Sequence, residues 1–132
     1  MEMDKRRVYL AFEFENDAQR RVNLIKQSLL YCDFVLEDFS LPSAVHGVHW
    51  QREAQRRIGE AHVLIVLLGQ NTHSSPGVRD EISLAGQAGC PVIQLMPQSK
   101  QYGTISDHIP VMNYRWRTLN SMLQNPREFI ER

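Results

Sequence analysis

A chain of 132 residues has the length of one domain and can bury a core without disulfide or metal staples. Fifteen basic residues against fifteen acidic ones leave no net charge, which argues against a broad electrostatic grip on nucleic acid or an anionic membrane. Two cysteines, Cys32 and Cys90, lack any CxxC or metal-spaced Cys/His pattern, so they read as small core residues in a reducing compartment rather than a disulfide framework.

The polar, charged start does not resemble a signal peptide, and the basic cluster Lys5 to Arg7 reads as a solvated lead-in. Val8 to Phe14 is a near-continuous apolar run that predicts a first strand. Asn16 or Asp17 can cap a helix over Ala18 to Tyr31, with Val22, Ile25, Leu29 and Leu30 as its apolar face and Arg20, Arg21 and Lys26 in water. Phe34 to Leu36 predicts a short second strand that ends in Glu37 and Asp38. The irregular stretch Phe39 to His49, with Pro42 and Gly47, is long for a strand-to-helix loop, and such loops are often functional.

Trp50 to Gly59 predicts a charged-faced helix, with Gly59 as its stop. His62 to Leu68 is the clearest strand, because its unbroken apolar run suits burial on both faces. Its longest apolar part, Val63 to Leu68, is far short of the ~20 residues that span a bilayer. Gly69 to Arg79 is a polar loop, and a helix is expected from about Asp80 to Ala88, closed by Gly89. Pro91 to Met96 predicts a fourth strand and Val111 to Tyr114 a short edge strand after a polar loop. Trp116 to Leu123 predicts a final helix, with Pro126 opening a last turn through Ile130.

Strands that alternate with helices imply an α/β fold with a doubly wound parallel sheet. Five strands in one domain over residues 1–132 suit the flavodoxin-like order 2-1-3-4-5. In that order the first and third strands diverge at a switch point, where Glu13 to Asp17, Gly69 to Glu81 and the loop after strand two converge. The topology identifies a location but no reaction.

Several chemistries can be weighed at that location. Glu81, at the expected start of the third helix, either binds ribose hydroxyls and steadies a cationic sugar-like transition state or is an ordinary solvated helix acid. Glu13, Glu15 and Asp17 form an acidic cluster, but no aspartate ends strand three and no lysine follows strand four until Lys100, which disfavours phosphoacceptor chemistry. No glycine-rich phosphate fingerprint follows strand one. His46 and His49 share a loop with Glu53 nearby but lack a third close ligand, so no metal site is assigned. His62 reads as structural, and no activating arrangement surrounds His73, Ser74 and Ser75.

Three segments resemble the Toll/interleukin-1 receptor (TIR) superfamily, and more narrowly the bacterial TIR-like proteins of Thoeris antiphage defence and their small flavodoxin-like relatives. They are Val8-Tyr9-Leu10-Ala11-Phe12-Glu13-Phe14 with Asp17, then Asp38-Phe39-Ser40-Leu41, and then Val63 to Gly69 followed by Val78-Arg79-Asp80-Glu81-Ile82. The resemblance spans about residues 8 to 96. Gly77 stands where that family usually has Trp, Ala11 where Ser is frequent, and Pro42 where an aromatic follows Ser-Leu.

The resemblance implies cleavage of the nicotinamide–ribose bond of NAD, with Glu81 as the catalytic carboxylate. It also implies a nucleotide cleft lined by Phe12, Phe14, Asp38 and Ser40, with Trp50 at its border. NAD is then substrate rather than resident cofactor, and water, the molecule's own adenine or another acceptor captures the ribosyl cation to give an ADP-ribose-type immune signal. The expected partners are NAD or a related nucleotide, further copies of the chain, and an effector or sensor protein, with no nucleic acid or membrane involved. The expected location is cytoplasmic. A catalytically silent interaction module and a nucleotide-binding sensor are the alternatives.

Overall fold

The computed structural model describes residues 3–41 and 48–131. The expected aromatic-replacing Pro42 and the metal candidate His46 lie outside the described residues. The elements run β1 (Lys5–Ala11), α1 (Phe14–Tyr31), β2 (Val35–Asp38), α2 (Val48–Glu60), β3 (Val63–Leu67), a 3-10 turn (Thr72–Ser74), α3 (Pro76–Ala88), β4 (Val92–Met96), β5 (Val111–Asn113), α4 (Trp116–Gln124) and α5 (Pro126–Ile130). All strand pairs are parallel and the sheet order is β2-β1-β3-β4-β5, as the alternation of elements predicts.

Strand alternation divides the core between the two sheet faces. Val8, Leu10 and Phe12 join Leu24, Ile65, Leu119 and Met122 on the side of α1, α4 and α5. Tyr9 and Ala11 join Leu41, Ala54, Ile58, Val66 and Val78 on the side of α2 and α3. β3 is buried at all five positions, which explains its unbroken apolar run. Among the described residues no helix is long and apolar enough to cross a membrane. Cys32 and Cys90 are both free thiols.

Several local expectations are corrected. β1 starts at Lys5 and ends at Ala11 rather than spanning Val8 to Phe14, because Lys5 to Val8 pair with Val35 to Asp38. The basic cluster is therefore not a solvated lead-in: Arg6 Nε donates to Leu123 O at 2.7 Å and its guanidinium lies 4.2 Å from the Phe34 ring centroid. α1 starts at Phe14 and is capped by Glu13, whose carboxylate accepts from Glu15 N at 3.2 Å, rather than by Asn16 or Asp17.

The faces of α1 also differ from the expected pattern. Leu24 and Ser28 are buried with Asp17, whereas Val22, Leu29 and Leu30 are exposed and Arg20 and Arg21 are half-buried. Finally, α3 begins at Pro76 rather than near Asp80. Ser75 caps it by accepting from Val78 N at 3.3 Å, and Pro76 fits the first turn, where its missing N–H costs nothing. Gly89 closes α3 in the left-handed conformation, as expected, and Gly59 falls inside α2 rather than ending it.

Candidate functional site

The earlier start of α3 moves Glu81 from the helix terminus into the second turn, and helical periodicity then turns it inward with Val78, Leu84 and Ala85. Glu81 is only 7% exposed and forms no ion pair among the described residues. Its Oε2 accepts a hydrogen bond from the Tyr9 hydroxyl, which arrives from the middle of β1. Its other oxygen has no hydrogen-bond partner among the described residues.

Burial pushes the Glu81 carboxyl up to about 7, while the Tyr9 hydrogen bond acts in the opposite direction and the neighbouring Asp80 charge adds to the rise. Burial and then the Glu81 charge raise the Tyr9 phenol, so it stays protonated and remains a donor. The pair is thus a carboxyl near half-ionisation at neutral pH, held in position by a neutral phenol. A solvated surface acid has neither property.

The end of β2 and the residues after it are tied to β1, α1 and α2. Asp38 accepts from Arg21 Nε at 2.7 Å through Oδ2 and from Ser40 N at 2.9 Å through Oδ1. Ser40 is buried, and its Oγ accepts from Leu10 N at 2.7 Å. Arg21 also donates to Leu41 O at 3.2 Å, and Arg57 donates to Ser40 O at 3.0 Å. Two guanidinium groups, one from α1 and one from α2, therefore hold the backbone where the chain leaves β2. Both are near enough to the Tyr9 phenol to lower its pKa, against the larger effect of burial.

Asp38 and Ser40 are thus brought together, and Ser40 is tied to Leu10, the neighbour of Tyr9 on β1. Trp50, half-buried on α2, packs against the core cluster that contains Tyr9, Leu41 and Val78. Phe12 and Phe14 lie on the other sheet face. Phe12 is 4% exposed within the α1-side core, and Phe14 is half-buried with its ring 4.7 Å from that of Phe12. The Arg21 guanidinium lies 6.0 Å from the Phe12 centroid and is the link between the two faces.

Sequence reasoning missed Tyr9, Arg21 and Arg57. Tyr9 carried a usable signal, because a hydroxyl within a strand buried on both faces needs a polar partner. Arg21 and Arg57 carried none, since each sits in a stretch whose charges read as a wet helix face. Among the described residues no three His, Cys, Asp or Glu side chains group closely enough to hold a metal ion.

At the switch point itself, Asp17 is buried beneath Gly69. Its Oδ1 lies 3.4 Å from Arg20 Nη1, and its Oδ2 has no hydrogen-bond partner among the described residues. A Cβ at Gly69 would overlap the Asp17 carboxylate, which would have to shift to admit it. Desolvation raises the Asp17 pKa against the opposing Arg20 charge. Arg20 Nη1 also donates to Leu68 O, tying the start of α1 to the end of β3.

Comparison with known proteins places this geometry in context. No curated protein matches the chain in sequence. A solved structure, the CMP N-glycosidase BcmB of Clostridium botulinum, is similar in fold with a TM-score of 0.54 and 20% sequence identity, over 89% of this chain and 98% of that one. The sequence also matches the family described as Thoeris protein ThsB, TIR-like domain, over residues 9–102, which include Tyr9, Asp38, Ser40, Trp50 and Glu81. That match covers well over half of the chain, which therefore belongs to the Thoeris ThsB TIR-like domain family.

Proposed function

We propose that the protein cleaves the N-glycosidic bond of a nucleotide, with NAD as substrate and nicotinamide as the departing base. The observation that carries this reading is the inward, buried Glu81 carboxyl held by the phenol of Tyr9 on β1. Family membership and the likeness in fold to a nucleotide N-glycosidase support it.

In the reaction the bond between ribose C1′ and the base nitrogen breaks, and its electron pair leaves with the base. Positive charge develops on C1′ and the ring oxygen. The ionised Glu81 stabilises that charge and holds a ribose hydroxyl, and its small exposure keeps the interaction strong. Water, the molecule's own adenine or a second acceptor molecule then bonds to C1′, and the proton it releases passes to solvent. The product is ADP-ribose or a cyclic or conjugated form, which we assign to signalling in antiphage defence.

The test is nicotinamide release from NAD, followed by mass spectrometry of the products, with wild type and Glu81→Gln compared at high protein concentration. Release by the wild type and loss in the variant are expected. NAD left intact by the wild type overturns the NAD reading, and a parallel incubation with CMP shows whether a nucleoside monophosphate is cleaved instead.

A second reading, a TIR-like module that assembles with itself or with an effector or sensor protein, is favoured by one observation. Leu29 and Leu30 on α1 are 82% and 76% exposed, an apolar surface that the isolated chain leaves uncovered. Assembly and turnover are compatible, and the activity measurement decides whether the enzymatic role is present.

A further inference from the structure

A separate cavity of about 310 Å³ opens between α1 and the carboxyl ends of β3, β4 and β5. It shares no lining residue with the Glu81 environment. Its floor is apolar, formed by Leu24, Leu67 and Pro97, and its wall is polar. Arg20, Asn23 and Gln27 stand along one side of α1 at spacings of three and four residues, so their side chains form a single row. Gln98 and Ser99, in the turn that follows β4, complete the lining.

The hydrogen bonds already present decide what this row can bind. The Gln27 carbonyl oxygen accepts from the Tyr114 hydroxyl and, at 3.4 Å, from Trp116 Nε1. The Asn23 carbonyl oxygen accepts from Gln19 Nε2 at 3.0 Å. Both amides therefore have their acceptor ends occupied and their N–H₂ donors without partners among the described residues. Arg20 uses Nη1 for Leu68 O and Asp17, which leaves Nε and Nη2 without partners there. Asp17 offsets part of the Arg20 charge, but no carboxylate lines the cavity.

The free donors of Arg20, Asn23 and Gln27 call for a ligand rich in acceptors, and the apolar floor calls for a carbon body. The volume is at the small end of the range for metabolite pockets. We propose that this cavity is a binding site for a pentose phosphate, with the phosphate against Arg20 and Asn23 and the sugar toward Gln27, Gln98 and the apolar floor. A guanidinium and neighbouring amides match phosphate oxygens in geometry and charge. The site stands independently of Glu81 chemistry, so failure of either assignment leaves the other untouched.

The experiment is a titration of the isotope-labelled full chain with ribose 5-phosphate, ribose and inorganic phosphate, read on the side-chain amide signals of Asn23, Gln27 and Gln98. Saturable shifts with ribose 5-phosphate and none with ribose are expected, with weaker binding of inorganic phosphate. The double variant Asn23→Asp, Gln98→Glu preserves side-chain shape while replacing donors by negative charge. It is expected to weaken binding at least about tenfold, the equivalent of one charge-assisted hydrogen bond. Absence of saturable shifts overturns the site, and equal affinity for inorganic phosphate overturns the pentose assignment. Unchanged affinity in the folded double variant overturns the location.

Discussion

The hydroxyl of Tyr9 on β1 donates to the carboxylate of Glu81 on α3, 72 residues away in sequence, and both groups are buried. The bond favours the charged form of Glu81 while burial disfavours it, and burial prevails. Tyr9→Phe removes the hydrogen bond and leaves the burial. The acidic limb of the pH–rate profile for nucleotide cleavage is therefore expected to move upward by about one unit, the equivalent of a hydrogen bond to a charged group. A uniform loss of rate with an unmoved limb would show that the phenol does not control this carboxyl.

The raised Glu81 pKa also makes folding depend on pH. A carboxyl at about 7 in the folded chain, against 4.5 as its ordinary value, holds its proton more tightly when folded. The folded state is then fully favoured below about 4.5 and loses that advantage as pH rises through about 7. Urea titrations of wild type and Glu81→Gln should converge at low pH and separate above neutrality. The variant should be more stable there by roughly 3 kcal/mol, the linkage value of a carboxyl raised from 4.5 to about 7. Equal stabilities across this range would contradict the buried, proton-holding carboxyl.

Gly69→Ala places a methyl group against the Asp17 carboxylate. A loss of about 1–3 kcal/mol in stability is expected, as for other overpacked buried sites. Asp17→Ala opens the space, so the double variant should recover part of the loss and the two substitutions should be non-additive. Strict additivity in thermal or urea unfolding would mean that the contact does not set the cost.

Gln94 is fully buried in β4 and holds the loop before β5 by donating to Ser106 O and Ile109 O at 2.9 Å and accepting from Ile105 N at 2.8 Å. Gln94→Leu keeps approximate volume but strands those loop groups. A loss of about 2–4 kcal/mol is expected from several unpaired buried groups. Amide exchange should accelerate at Ile105 more than in β3, and uniform acceleration would indicate global loosening instead.

The order of elements, the parallel sheet and the location of the switch point were legible in the chain itself. An unbroken apolar run such as Val63 to Leu67 can be satisfied only by burial on both faces, and alternation with helices then constrains the topology. Glu81 could be singled out because it follows the third strand toward the expected crevice, whereas Asp38 and Ser40 were marked by the resemblance to TIR-like proteins.

Which side chains turn inward was decided only by tertiary structure. Arg20 and Arg21 looked like a wet helix face, yet the unpaired carbonyls of Leu68 and Leu41 and the carboxylates of Asp17 and Asp38 draw their guanidinium groups in, while Leu29 and Leu30 remain outside. Periodicity records apolarity along one helix. It cannot record that a distant strand end presents an acceptor which a long cationic side chain can reach. The start of α3 at Pro76 likewise depended on Ser75 accepting from Val78 N, and it set which way Glu81 faces. The sequence thus specified where chemistry could occur, and packing specified that Glu81 would meet Tyr9 there.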